Sequence, residues 1–158
     1  GMLDAGAPAP DFDLPRPLAD GDQTYRLSAA AHEAPVVVAF FDLDDRAAGT
    51  ALLDALAGVD WASVIDRVSV FGIGVGPLDD VESLAAERDL PFPLLADPDG
   101  FFADRYGVLA ETSDGWRAAR ALFVVDQRCR IRFAWSDADA GRDEEPPIED
   151  LTGALGSI

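Results

Sequence analysis

The chain has 158 residues, 49% of them hydrophobic, which fits one folded domain with a single core and excludes a disordered chain. It carries 30 acidic and 12 basic side chains, and its net charge of -18 argues against binding to nucleic acids, whose phosphates are also negative. No apolar run approaches the roughly 20 residues that a membrane-spanning helix needs, so membrane insertion is not expected.

This charge balance favours a protein adapted to high salt. All the basic residues are arginine, and most of the acids are aspartate. Self-repulsion of this size opposes a compact state in dilute buffer, whereas molar salt shortens the screening length to about 3 Å. A GC-rich genome, which favours Ala, Arg, Asp and Gly over Lys, is the alternative. Residues 2–6 lack the basic and apolar parts of a secretory signal, so we expect a cytoplasmic protein.

Residues 2–158 are predicted to form one domain in which buried strands alternate with helices. Four prolines within the first 20 residues predict an extended arm, and residues 25–27 predict a short strand. The apolar runs at residues 36–41 and 68–75 predict strands buried on both faces, as in a sheet covered by helices. Apolar residues at helical spacing predict a helix between them that ends at Gly58.

The middle of the chain repeats the alternation of helix and strand. Asp79 and Glu82 have the spacing of a capping box, which predicts the start of a helix. Residues 91–95 predict a short third strand. A turn at residues 97–100 and a short helix at residues 101–106 follow it.

The last third predicts an antiparallel pair of strands and a final helix. Residues 121–125 and 131–135 are apolar and lie five residues apart, which predicts a hairpin. The acidic, proline-containing stretch at residues 137–147 is predicted to be a mobile loop, before a helix at residues 148–155. The order β-α-β-α-β-α-β-β-α predicts an α/β fold with a mixed sheet.

Five segments carry patterns that occur together in one protein family: GAPAPDFDL at residues 6–14, VFGIGV at 70–75, LPFPLLADPDG at 90–100, YGV at 106–108 and RALFVVD at 120–126. In this order they resemble the peroxiredoxins, the alkyl hydroperoxide reductase and thiol-specific antioxidant family, and most of all its bacterioferritin-comigratory-protein branch. The resemblance implies a thioredoxin-like fold: a central mixed β-sheet flanked by helices, with a peroxiredoxin-type N-terminal extension.

The active-site signature of that family, Pro-x-x-x-Thr-x-x-Cys, departs from its pattern here. Aligned without a gap, its proline falls on Asp42, its threonine on Arg46 and its reactive cysteine on Gly49. Only the arginine of a later strand, Arg120, is retained. In the family the threonine and the arginine hold the peroxide and lower the pKa of the thiol, as a helix N-terminus and a guanidinium can. The resemblance therefore implies a scaffold with no catalytic residue for thiol peroxidase chemistry.

We therefore expect a binding or regulatory module rather than a peroxidase. A helix N-terminus and two guanidiniums favour a small anion, so the predicted pocket consists of Arg46, Gly49, Thr50 and Arg120. No cofactor and no metal is expected. The resemblance implies a homodimer, and a protein partner is left unidentified.

Two other functions remain open at this stage. Cys129, the one cysteine, lies in the predicted hairpin turn between Arg128 and Arg130, which would lower its pKa and permit a thiol-dependent peroxidase or oxidoreductase. Because it is the one cysteine in the sequence, a disulfide within the chain is excluded. Asp42 and Asp44 after an apolar strand also resemble the first motif of haloacid-dehalogenase phosphatases, in which two aspartates and magnesium act on a phosphate ester.

Overall fold

The computed structural model describes residues 2–138 and 144–158, and these residues form six helices, nine strands and their connections. In chain order the elements are β1 (Asp13–Arg16), β2 (Gln23–Arg26), α1 (Leu27–Glu33), β3 (Val36–Asp42), α2 (Arg46–Ala57), α3 (Trp61–Val64), β4 (Ser69–Val75), α4 (Leu78–Glu87), β5 (Leu94–Asp97), α5 (Phe101–Arg105), β6 (Leu109–Thr112), β7 (Gly115–Ala118), β8 (Ala121–Val125), β9 (Ile131–Ser136) and α6 (Ile148–Gly156). Among these residues no helix combines the length and the apolarity that crossing a bilayer requires.

The centre of the fold is a five-stranded mixed sheet with the order β5-β4-β3-β8-β9. β4 runs parallel to both β3 and β5, whereas β8 is antiparallel to both β3 and β9. All seven residues of β3 are buried, because helices and loops cover both faces of the sheet at its middle strand. The predicted mixed α/β sheet, with its order of buried strands and helices, is confirmed.

The two faces of the sheet pack into separate parts of the core. Phe40 and Phe41 are neighbours on β3, and side chains alternate along a strand, so they point to opposite faces. The ring of Phe40 packs against Tyr106 and Phe123, with centroid distances of 5.2 and 6.1 Å. Phe41 belongs to the other face, whose apolar residues include the leucines of α2 and α6. The end of β3 and the first turns of α2 are therefore separated by a layer of buried apolar side chains.

Three local predictions are wrong. The third strand was predicted at residues 91–95, whereas β5 spans Leu94–Asp97. The predicted strand at residues 25–27 ends one residue early, because Leu27 is the first residue of α1 and is fully buried. The capping box of Asp79 and Glu82 does not form: α4 begins at Leu78 after Pro77, and no side chain caps its first turn. Both acids therefore lie inside the helix. The negative charge of Asp79 in the first turn still interacts favourably with the positive N-terminal end of the helix dipole.

The N-terminal arm is more ordered than its prolines predict. β1 pairs with β2 in an antiparallel hairpin, and the Tyr106 hydroxyl donates a hydrogen bond to the carbonyl of Pro10 at 2.7 Å. The sequence also did not predict α1, α3 or the hairpin of β6 and β7. Of the predicted loop at residues 137–147, residues 139–143 lie outside the described residues.

Candidate functional site

A pocket of about 330 Å³ lies between the end of β3, the first turn of α2 and the β6–β7 hairpin. Because the chain leaves the sheet at this end of β3, side chains of several loops converge here. The charged residues that line it are Asp42, Asp45, Arg117, Arg120 and Asp137. Ala48, in the first turn of α2, also lines it.

Arg120 is buried beside this pocket, and its charge is balanced. Only 7% of the residue is exposed. Its Nε donates to Oδ2 of Asp137 at 2.8 Å, and its backbone N–H donates to Oδ1 of the same carboxylate at 3.0 Å. Its Nη2 donates to the carbonyl of Glu144 at 2.6 Å, and the guanidinium lies 5.7 Å from the ring of Trp135. The arginine that the resemblance assigns to peroxide binding is therefore part of a buried ion pair.

Asp42 links β3 to the β6–β7 hairpin. Its Oδ1 accepts the backbone N–H of Asp44 at 2.8 Å, and its Oδ2 accepts the backbone N–H of Ala118 at 2.8 Å. With both oxygens engaged and 8% of the residue exposed, this carboxylate is held as a structural acceptor. Within the described residues no group of three His, Cys, Asp or Glu side chains has the geometry of a metal site. This arrangement does not support a phosphatase in which Asp42 attacks phosphorus.

The first turn of α2 brings only some of the predicted residues to the pocket. Asp45 caps the helix, since its Oδ1 accepts the N–H of Ala48 at 3.4 Å. Arg46 points to the exterior and pairs with Glu87 of α4. The Thr50 hydroxyl donates to the carbonyl of Ala47 at 3.1 Å. Arg120 and Ala48 thus line one pocket, whereas Arg46, Gly49 and Thr50 lie outside its lining.

Gly49 is buried against the core rather than facing the pocket. A Cβ atom on this glycine would lie 2.6 Å from Cδ2 and 3.2 Å from Cγ of Phe41. Real Cβ atoms do not approach another carbon so closely, because packing in protein interiors leaves no overlap. The volume in which a side chain at position 49 would begin is therefore occupied by the Phe41 ring.

Cys129 lies at the opposite end of β8 from Arg120. The five residues of β8 separate them by about 16 Å of strand. Cys129 adopts a left-handed conformation (φ 59°) in the hairpin turn, where its N–H donates to the carbonyl of Asp126 at 2.9 Å. Burial, followed by the nearby carboxylates of Asp11 and Asp126, raises the pKa of its thiol. The predicted lowering of the thiol pKa by the neighbouring arginines is wrong, because burial and the two carboxylates act in the opposite direction.

Arg117 is a pocket residue that the sequence did not predict. It lies on β7 and lines the pocket, and its guanidinium has no hydrogen-bond or ion-pair partner among the residues that the structure describes. It reaches this position because Ser113 and Asp114 form a tight turn between the paired residues Thr112 and Gly115, and Gly115 has a φ of +111°. The short polar run Ser113-Asp114-Gly115 was the available turn signal. Most residues of the two short strands are exposed, and their apolar and polar residues do not alternate regularly, so no strand pattern marked them.

Solved structures with the same fold cover nearly the whole chain. Peroxidoxin BcpB from Mycobacterium tuberculosis is 24% identical, with a TM-score of 0.81 and 99% coverage of both chains. Peroxiredoxin Q from Xanthomonas campestris is 21% identical, with a TM-score of 0.74 and 98% coverage of both chains. AhpC from Mycobacterium tuberculosis is 19% identical, with a TM-score of 0.70 over 99% of this chain and 93% of that one. At these identities the likeness shows the thioredoxin-like fold.

Family membership follows from the sequence profile of the AhpC/TSA family, which matches residues 5–134. No curated protein matches the chain. The matched residues include all lining residues of the pocket between β3, α2 and the β6–β7 hairpin except Asp137 and Ala138. The chain therefore belongs to the AhpC/TSA family, the peroxiredoxins, with glycine at position 49 where the reactive cysteine of the family is expected.

Proposed function

We propose that this protein is a peroxiredoxin-fold binding module without thiol peroxidase activity. The observation that carries the proposal is the contact between Gly49 and Phe41, in which the aromatic ring fills the space of the missing side chain. A peroxidase of this family needs a thiolate at that position, held by a helix N-terminus and a guanidinium. Here Arg120 is engaged by Asp137, so the remaining machinery also serves the fold.

The pocket is proposed to hold a small carboxylate or another small anion. Its carboxylates are each accounted for: Asp137 pairs with Arg120, Asp45 caps α2, and Asp42 accepts two backbone N–H groups. Arg117 then supplies the guanidinium that remains for a ligand, and its forked N–H groups match a carboxylate. In this proposal Arg117 acts beside Arg120, in the role that the sequence suggested for Arg46.

An anion titration tests the pocket. Potassium acetate or sulfate replaces potassium chloride at constant ionic strength, and the melting temperature is followed. A ligand that binds only the folded state raises the melting temperature, and the rise grows with the logarithm of the ligand concentration once that concentration exceeds Kd. We expect this rise in the wild type and its loss in Arg117→Ala. Arg67→Ala, which removes an exposed arginine outside the pocket, is the matched control for charge. An equal rise in wild type and Arg117→Ala refutes the anion site.

A peroxidase assay tests the absence of activity. Hydrogen peroxide and an organic hydroperoxide are supplied with dithiothreitol, and their consumption is compared with that of buffer alone. We expect no protein-dependent rate. A rate that Cys129→Ser abolishes would establish the alternative thiol enzyme, and one that survives that substitution would refute the loss of activity altogether. Sedimentation of the same samples tests the homodimer that the family resemblance suggests.

A further inference from the structure

A second pocket, of about 440 Å³, adjoins the first and shares Asp42 and Ala118 with it. It lies at the carboxyl ends of the parallel strands β3, β4 and β5, the edge at which open α/β sheets bind ligands. One wall is formed by α5 and the turn before it, and the other by the β6–β7 hairpin. Neither the family signature nor the proposed anion site accounts for this pocket.

Two exposed aromatic side chains line this second pocket. Trp116 is 61% exposed and Phe101 is 52% exposed, and in the described part of the chain no other aromatic side chain has this degree of exposure. Both line the same pocket, although they belong to different elements. Large apolar rings grouped at the rim of a cavity indicate a binding surface, whereas single exposed apolar residues do not.

The charge of the lining selects the occupant. Asp44, Asp99 and Asp104 line the pocket, and no arginine or histidine does. The carboxylates of Asp44 and Asp104 have no hydrogen-bond or ion-pair partner within residues 2–138 and 144–158, so their charges are available to a ligand. The Phe101 ring already makes a cation–π contact, since the guanidinium of Arg105, which does not line the pocket, lies 5.8 Å from its centroid. Anions are disfavoured by the same carboxylates.

We propose that this second pocket binds a small organic cation with an apolar body, such as a quaternary or methylated ammonium. The faces of Trp116 and Phe101 attract such a cation, and Asp44 and Asp104 balance its charge. A hard inorganic cation would gain little from the aromatic rings and would need several converging oxygen ligands. The described residues contain no such group of three acids. This inference does not depend on the anion site beside Arg120.

Choline and its uncharged isostere, 3,3-dimethylbutan-1-ol, test the proposal. Choline chloride replaces sodium chloride at constant ionic strength, and binding is measured by calorimetry and by tryptophan fluorescence. We expect saturable binding of choline and none of the alcohol at equal concentration, because the attraction depends on the positive charge. Equal binding of the two compounds, or the absence of saturable choline binding, overturns the proposal.

Two variants locate the site. Trp116→Leu and Asp104→Asn are each expected to weaken choline binding at least about fivefold in calorimetry, since they remove a ring face and a counter-charge. Asp89→Asn removes an equal charge from an exposed position outside the pocket, and we expect a change below about twofold from the lost long-range field. Equal weakening by Asp89→Asn identifies nonspecific counter-ion binding. If Trp116→Leu alters only the oligomeric state, the rings form a protein interface, and both outcomes refute the proposal.

Discussion

The ring of Phe41 stands where a side chain at position 49 would begin, since a Cβ atom on Gly49 would lie 2.6 Å from Cδ2 of the ring. The far edge of the same ring, Cζ, lies 3.2 Å from the Cβ position of Gly74 on β4. Two glycines on different elements thus make room for one buried aromatic ring. A side chain added at position 49 would therefore have to displace a packed ring as well as occupy new space.

Gly49→Ala is expected to destabilise the protein, although alanine is the better helix former. The new methyl group forces the Phe41 ring to move, and such overpacking costs about 1–3 kcal/mol. Gly153→Ala is the matched control, because Gly153 lies within α6 and has no heavy atom within 4 Å of its Cβ position. There the helix propensity of alanine should stabilise by up to about 1 kcal/mol. Urea unfolding measures both, and stabilisation of equal size at both sites contradicts the packing argument.

Gly49→Cys is expected to remain inactive towards hydroperoxides, and its thiol is expected to react slowly with a thiol reagent. The sulfur would lie against Phe41 in the core and not at the pocket that Arg120 lines.

Phe41→Leu should lower the free energy of unfolding by itself, yet lower it less in the presence of Gly49→Cys, because the smaller side chain makes room for the sulfur. A double-mutant cycle measures this coupling. Additive effects show that the two positions do not compete for space.

The buried pair of Arg120 and Asp137 should dominate the stability of the pocket. Asp137→Ala removes the carboxylate that accepts hydrogen bonds from Nε and from the backbone N–H of Arg120, and breaking a buried pair costs about 3–5 kcal/mol. The exposed pair of Arg26 and Asp13, at 3.1 Å, is the reference, since an exposed pair contributes about 0–1 kcal/mol. Unfolding in denaturant at neutral pH compares Asp137→Ala with Asp13→Ala. Similar losses for both variants show that Arg120 finds water or another partner.

The sheet could be predicted because the pattern that marks each strand lies within a few consecutive residues. Residues 36–41 and 68–75 are continuous apolar runs, and such runs become buried strands whichever neighbours they acquire. The hairpin of β8 and β9 was equally local, because five turn residues separate two apolar segments. The family resemblance added the thioredoxin-like fold, with its central mixed sheet flanked by helices. These features depend on residues close in the chain.

The electrostatics of the site could not be predicted, because each decisive partner is distant in sequence. The carboxylate that engages Arg120 lies 17 residues away, and the glutamate that draws Arg46 out of the pocket lies 41 residues away. The bond from Ala118 to Asp42 spans 76 residues and depends on a hairpin whose strands are exposed. In a chain with 30 acids, sequence does not say which of them will pair with a given arginine.

Salt should stabilise the protein well into the molar range at neutral pH. The net charge is -18, and raising potassium chloride from about 0.1 to 1 M shortens the screening length from about 10 to 3 Å. Repulsion within the folded state therefore weakens, and the melting temperature rises. Near pH 4, where the acids begin to bind protons, the same salt step should have a smaller effect. A melting temperature indifferent to salt at pH 7 contradicts adaptation to high salt.

Asp126 should make the β8–β9 turn sensitive to acid. Its Oδ1 accepts the backbone N–H groups of Arg128 and Arg130 at 2.9 and 3.0 Å, and its Oδ2 accepts from Arg132 at 3.3 Å. Burial alone would raise the pKa of this carboxyl, but the hydrogen bonds from Arg130, Arg128 and Arg132 outweigh it and hold the pKa below its ordinary value.

A group with a lowered pKa in the folded state contributes stability above its unfolded pKa of about 3.9, and this contribution is lost as the pH falls through the folded value. Asp126→Asn should therefore cost about 1–2 kcal/mol at pH 7, because neutral acceptors bind N–H groups less strongly. The difference from wild type should shrink below about pH 4 as the wild-type carboxyl is protonated. Asp20→Asn, an exposed position with the same change of charge, corrects for relief of general repulsion. Urea unfolding from pH 3 to 7 measures the three proteins, and a difference that stays constant with pH shows that the charge of Asp126 does not stabilise the turn.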